Sequence, residues 1–125
     1  MLHVDPMLNK RTLLLPTRRH HRLLLIKHLA PSSLLPEISF IHASLLPDPK
    51  NYHTWAYLHW LYAYFSSSEV VAVHGPRIGE AEWEAERKWC EEMVEADGRN
   101  NSAWSWRWFL VFGREGAKGG EEEIE

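Results

Sequence analysis

Cysteine is nearly missing from this chain: Cys90 stands alone among 125 residues. No disulfide can form within it, and a reducing compartment such as the cytosol fits that usage. Long apolar runs are missing too. None approaches the roughly 18 or more residues of a membrane span, and Leu13, Leu14 and Leu15 lack the longer apolar stretch and small-residue cleavage site of an export signal. The expected location is cytoplasmic. A surplus of positive charge is also lacking, since 14 Lys and Arg face 17 Asp and Glu for a net −3. That balance argues against a nucleic-acid binder, whose phosphate contacts need excess cations.

What the chain does have is aromatic mass. Hydrophobic residues make up 45%, and seven are Trp, whose faces are costly to leave in water. The length suits one small domain or a piece of a larger one. Charge is unevenly spread. Lys10, Arg11, Arg18, Arg19, Arg22 and Lys27 make the start basic, while Glu80, Glu82, Glu84, Glu86, Glu91, Glu92, Glu95 and Asp97 make a later stretch acidic.

Five helices are expected. Thr17 caps a run over residues 18–29, which Ala30 and Pro31 stop. Ser32 or Ser33 caps a second helix carrying Leu34, Leu35, Ile38, Ile41, Leu45 and Leu46, with Pro36 tolerated in its first turn and Pro47 and Pro49 ending it. Residues 51–65 place Trp55, Leu58, Tyr62 and Phe65 on one stripe. Residues 66–79, rich in Ser and Gly, read as a loop, although the Val-rich part could pair briefly as a strand. Residues 80–96 put Trp83, Trp89, Cys90, Met93 and Val94 on one face and most glutamates on the other. Asn100 or Asn101 then caps a fifth helix, with Trp104, Trp108, Val111 and Phe112 along one side and Gly113 as its stop. Residues 1–16 are expected to be poorly ordered, and 114–125 to form a disordered acidic tail.

Self-comparison is the most informative step. Asp48, Lys50, Asn51 and Trp55 align with Asp97, Arg99, Asn100 and Trp104 at a constant separation of 49 positions. Each copy follows one amphipathic helix and starts another, so the unit is a helical hairpin. His20-His21-Arg22 lies 36 positions before Ala56-Tyr57-Leu58 in the same register, a worn earlier copy. Asp and Asn can satisfy backbone amides at a helix start, and the Trp one turn on can bury its indole between neighbouring hairpins. Such hairpins stack, because one alone cannot cover its apolar face. The expected fold is all-α: antiparallel helical hairpin repeats over residues 17–113, a fragment of an α-α superhelix or solenoid.

Residues 50–55 and 97–107 resemble consecutive repeats of the protein prenyltransferase alpha subunit family. The second segment is more similar to the farnesyltransferase and geranylgeranyltransferase type I alpha chain than to type II. The resemblance implies a heterodimer: a helical alpha chain wrapped around a catalytic beta subunit, which carries the zinc and most of the isoprenoid pocket. It implies that Lys50 approaches the diphosphate of the prenyl donor and that Tyr52 lines the same seam, while Asn51, Trp55, Asn100, Trp104 and Arg107 make up the repeat motif. The chain would then support transfer of farnesyl or geranylgeranyl to a protein cysteine without being a complete enzyme. Arg19 stands where the family has Trp, and Tyr57-Leu58 where it has His-Arg. The alternatives are a non-catalytic helical-repeat interaction module and a truncated, non-functional fragment.

Other constellations read as structural. His20, His21, His28, His53 and His59 have no carboxylate or Cys at ligand spacing, so no metal or cofactor is assigned to this chain. Cys90 reads as an inert core thiol. The paired glutamates of residues 80–96 read as an exposed face rather than an acid/base pair, and residues 18–22 as a solvated basic helix rather than a nucleic-acid patch. Arg107 is expected to make buried hydrogen bonds between hairpins.

Overall fold

The computed structural model describes residues 16–113, with side chains from residue 20 onward. Residues 1–15 and the expected acidic tail lie outside the described residues. The described part is all helical: α1 (Pro16–Leu29), α2 (Leu35–Leu45), α3 (Tyr52–Ser66), α4 (Ser68–His74), α5 (Glu80–Ala96) and α6 (Asn101–Trp108), which continues as a π-helical segment (Phe109–Gly113). They form two compact units, divided between Ile78 and Gly79.

In the first unit α2 and α3 make a hairpin. Leu34, Ile38, Ile41 and Leu45 of its first arm and Leu58, Leu61, Tyr62 and Phe65 of its second are buried, and both sets recur at three- and four-residue steps, which aligns them on one helical face. Each buried Leu or Ile contributes about 1.5–3 kcal/mol. Proline closes α2, because Pro47 and Pro49 cannot continue a hydrogen-bonded ladder.

Three boundaries differ from the sequence reading. Thr17 lies inside α1 rather than capping it. The α2 cap position belongs to Leu34, and Ser33 contributes only an acceptor for the Leu35 amide at 3.3 Å. The largest difference is α4, a helix within the stretch read as a loop. Ser67 starts it in extended backbone, its carbonyl accepts the Val71 amide at 3.0 Å, and Val70 is buried. A local reading weights the β-branched valines and the serines; packing of Val70 overrides both. Gly75, at φ 81, ends the helix in backbone that a side chain would strain.

Ala30 closes α1 at φ 39, its amide bonded to the Ile26 carbonyl at 2.9 Å. A non-glycine residue there costs about 1–2 kcal/mol. Pro31 follows at once and prevents further helix.

In the second unit α5 packs on α6. Glu82 reaches back to the Gly79 amide at 3.1 Å, satisfying one of the open donors at the start of α5. Trp83, Glu86 and Cys90 are buried on α5, and Ala103, Trp106 and Leu110 on the facing arm. Trp106 stacks on Phe109, centroids 5.2 Å apart.

The buried face of α6 is therefore not the expected one. Trp104, Trp108 and Phe112 are 44%, 61% and 57% exposed. Ala103, Trp106 and Leu110 keep helical spacing just as well, and the inward face is set by what α5 offers opposite it. Gly113 closes the π-helical segment where a Cβ would stand 2.8 Å from Phe109 Cδ2.

Candidate functional site

The turn before α3 brings the sequence-predicted residues together. Asn51 caps α3: its Oδ1 accepts the Thr54 amide at 3.2 Å, and its Nδ2 donates to Asp48 Oδ2 at 3.2 Å. Lys50 precedes the cap on the exposed side of the turn. Tyr52 is the first residue of α3 and 71% exposed, its ring edge-on to His53 at 5.9 Å. A cation and a phenol therefore flank the start of a helix, where open amides and the positive dipole end favour an anion.

The turn before α6 repeats this geometry. Asn100 Oδ1 accepts the Ala103 amide at 3.1 Å, and Asp97 Oδ1 accepts the Arg99 amide at 2.9 Å. The two indoles agree as well. Trp55 Nε1 donates to the Pro49 carbonyl and Trp104 Nε1 to the Gly98 carbonyl, each at 2.8 Å and each six residues back. Each Trp thus ties its helix to its own turn. Trp55 is buried as expected, whereas Trp104 is not.

Among the described residues Arg107 does not make the expected buried hydrogen bonds. Its Nη2 lies 3.7 Å from Glu91 Oε1, with both side chains partly exposed, and its guanidinium stands 5.7 Å from the Trp104 ring. Such an exposed pair contributes at most about 1 kcal/mol.

Sequence reasoning missed a buried set. Glu37 accepts from the Tyr57 hydroxyl at 2.6 Å and from Arg22 at 2.7 and 2.5 Å. Glu86 accepts from Trp106 Nε1 at 2.8 Å. Both bonds span 20 residues, and Glu37 and Glu86 are themselves 49 positions apart. The signal was present in the repeat register, but a glutamate within an acidic helix reads as solvated. Glu86, 2% exposed, is an exception to the reading of these glutamates as an exposed face.

Burial, reinforced by the Glu37 carboxylate, raises the Tyr57 phenol well above its ordinary value. Burial chiefly, then the neighbouring Glu86, pushes the Cys90 thiol up to about 12. Cys90 Sγ donates to the Ala103 carbonyl at 3.2 Å. A buried, neutral thiol suits packing rather than nucleophilic attack. Burial lowers His59.

Among the described residues no group of three His, Cys, Asp or Glu could hold a metal ion, and no helix is long and apolar enough to cross a membrane.

The protein prenyltransferase alpha subunit repeat matches at residues 34–65 and 83–113, the two hairpins just described. Over 75 residues the chain is 31% identical to the geranylgeranyl transferase type-2 subunit alpha of Rattus norvegicus and of Mus musculus, and 30% identical to that of Homo sapiens. The matched stretch is 60% of this chain and 11% of each relative, so the chain spans about a tenth of their length. These relatives carry the type-2 name, whereas the sequence reading likened residues 97–107 to type I. The paired caps, the repeated indole bonds and the double match agree, and this chain belongs to the protein prenyltransferase alpha subunit repeat family.

Proposed function

We propose that the chain acts as an alpha-subunit-like component of a heterodimeric protein prenyltransferase. It provides helical scaffold, and its α3 turn provides polar contacts to the diphosphate of a farnesyl or geranylgeranyl donor whose prenyl group passes to a protein cysteine. The observation that carries this reading is the pair of Asn-capped repeat turns, one of which sets Lys50 and Tyr52 in solvent beside its helix start. An ammonium there suits negative charge growing on a diphosphate leaving group. The beta subunit supplies the zinc and the thiol chemistry, and the complex works in the cytoplasm.

The test is co-expression with a prenyltransferase beta chain, of type I and of type II in separate trials. The expected result is copurification with one of them and prenyl transfer, and Lys50→Ala lowers turnover about ten-fold or more while the partner stays bound. Failure to copurify with either beta chain sinks this reading. The second reading, a helical-repeat interaction module without transferase activity, is favoured by the exposed aromatic face of α6. It predicts that neither beta chain binds.

A further inference from the structure

All four tyrosines of the chain lie on α3, and the fold separates them sharply. Tyr57 and Tyr62 are 2% and 1% exposed, and the Tyr57 hydroxyl is bound to Glu37 at 2.6 Å. Tyr64 is partly buried, stacked on Trp60 with centroids 5.0 Å apart and with the Lys27 ammonium 5.2 Å from its ring. Tyr52 is different. It is 71% exposed, and its ring meets that of His53 edge-on.

The backbone around Tyr52 also sets it apart. Residues 46–50 are exposed and lie outside any helix, where Pro47 and Pro49 exclude a hydrogen-bonded ladder. Tyr52 is the first residue of α3, and the turn that holds it is closed by few bonds: the Thr54 amide to Asn51 Oδ1 and the Trp55 amide to the Asn51 carbonyl, each at 3.2 Å. Opening one such turn costs less than opening the hairpin core that covers Tyr57 and Tyr62. Lys50 stands two residues before the phenol. Asp48, the sole carboxylate of residues 46–54, accepts from Asn51 Nδ2 at 3.2 Å.

We propose that Tyr52 is a phosphorylation site for a tyrosine kinase, and that the phosphate it gains pairs with Lys50. The kinase transfers the γ-phosphoryl group of ATP to Tyr52 Oη. The bond from that phosphorus to the bridging oxygen breaks, ADP leaves, and the phenol proton passes to the base of the kinase. The new group brings a charge of about −1.5 to −2 at pH 7, beside an ammonium and the positive end of α3, where an anion is favoured. Its effect on catalysis rests on the function proposed above: a phosphate held by Lys50 occupies the ammonium that would otherwise meet the donor diphosphate, and the modified chain is switched off.

The experiment treats the free 125-residue chain with a panel of soluble tyrosine kinase domains and magnesium ATP. Peptide mass spectrometry is expected to find phosphate on Tyr52 at least about ten-fold sooner than on Tyr57, Tyr62 or Tyr64. Tyr52→Phe should abolish that first phase, and Asn51→Ala, which loosens the turn, should speed it several-fold. Phosphorus NMR then follows the second ionisation of the phosphate, expected at least about 0.3 pH units lower than in the phosphorylated Lys50→Met chain. A folded chain that takes no phosphate on Tyr52 overturns the site, as does first transfer to Tyr64. Equal ionisation with and without Lys50 overturns the pairing. Both measurements use the chain without a beta subunit, so their outcomes stand apart from success or failure of the prenyltransferase reading.

Discussion

Glu86 and Trp106 face each other across the second hairpin, the indole Nε1 donating to a carboxylate oxygen at 2.8 Å. Tyr57 and Glu37 make the same junction in the first hairpin, 49 positions earlier. One buried acceptor per repeat, facing an aromatic donor of the opposite arm, fixes how the arms slide against each other. An apolar contact tolerates small shifts; a hydrogen bond does not.

Removing the acceptor should therefore cost more than the bond itself. Glu86→Ala leaves a buried indole N–H unsatisfied, and a loss of about 2–4 kcal/mol is expected from the orphaned donor and the cavity. Trp106→Phe keeps the stack on Phe109 and should cost less. A double-mutant cycle in urea checks this, and a coupling near zero would contradict a junction held by the Glu86–Trp106 bond.

Glu37 serves two donors, so Glu37→Ala should lose about 3–5 kcal/mol by stranding Arg22. Combining Arg22→Leu, Glu37→Leu and Tyr57→Phe should recover most of the loss. Thermal melts of the single and triple variants decide between a stabilising network and one that sets register.

The caps should behave as a pair. Asn51→Ala and Asn100→Ala each remove an acceptor for an amide three residues on and should cost about 0.5–2 kcal/mol. Asn100 is 1% exposed and its effect should be the larger. Equilibrium unfolding of both variants tests the order.

Alkaline pH should weaken the fold. The Cys90 thiol is pushed from its ordinary value of 9.0 up to about 12, and Tyr57 is raised above 10.0. In the unfolded chain these groups lose protons from about pH 9 upward while the native chain keeps them. The unfolded state then binds fewer protons, and stability falls with rising pH. Stability conferred by these neutral forms is complete below pH 9 and is lost progressively towards pH 12. Cys90→Ala should flatten part of that slope, as urea titrations at several pH values would read. Native Cys90 should also resist alkylation at pH 8 far longer than the unfolded chain does.

The two repeat tryptophans should separate. Trp55→Ala should cost about 3–5 kcal/mol, as for a buried aromatic. Trp104→Ala, from a site 44% exposed, should cost less than half of that. Equal costs would mean that the turn bond, which both share, outweighs burial.

Much of this was legible because it is local. Asn51 and Asn100 were recognised as helix starts, and α5 was bounded correctly at residues 80–96, since acids, Gly and the apolar period agree there. The α4 helix was not legible, because its seven residues depend on Val70 finding a buried place. Nor was the inward face of α6. Size suggested Trp104 and Trp108, while the core took Ala103, Trp106 and Leu110.

By itself the sequence determined the repeat: a 49-residue spacing, Asn at each helix start and a Trp four residues on. Those features are set within one turn of chain, where an oxygen and the amide it serves are covalently near. Only the tertiary structure decided that Glu37 and Glu86 lie inside and that Trp108 lies outside. Burial is a property of what stands opposite, and no stretch of chain carries its own opposite face.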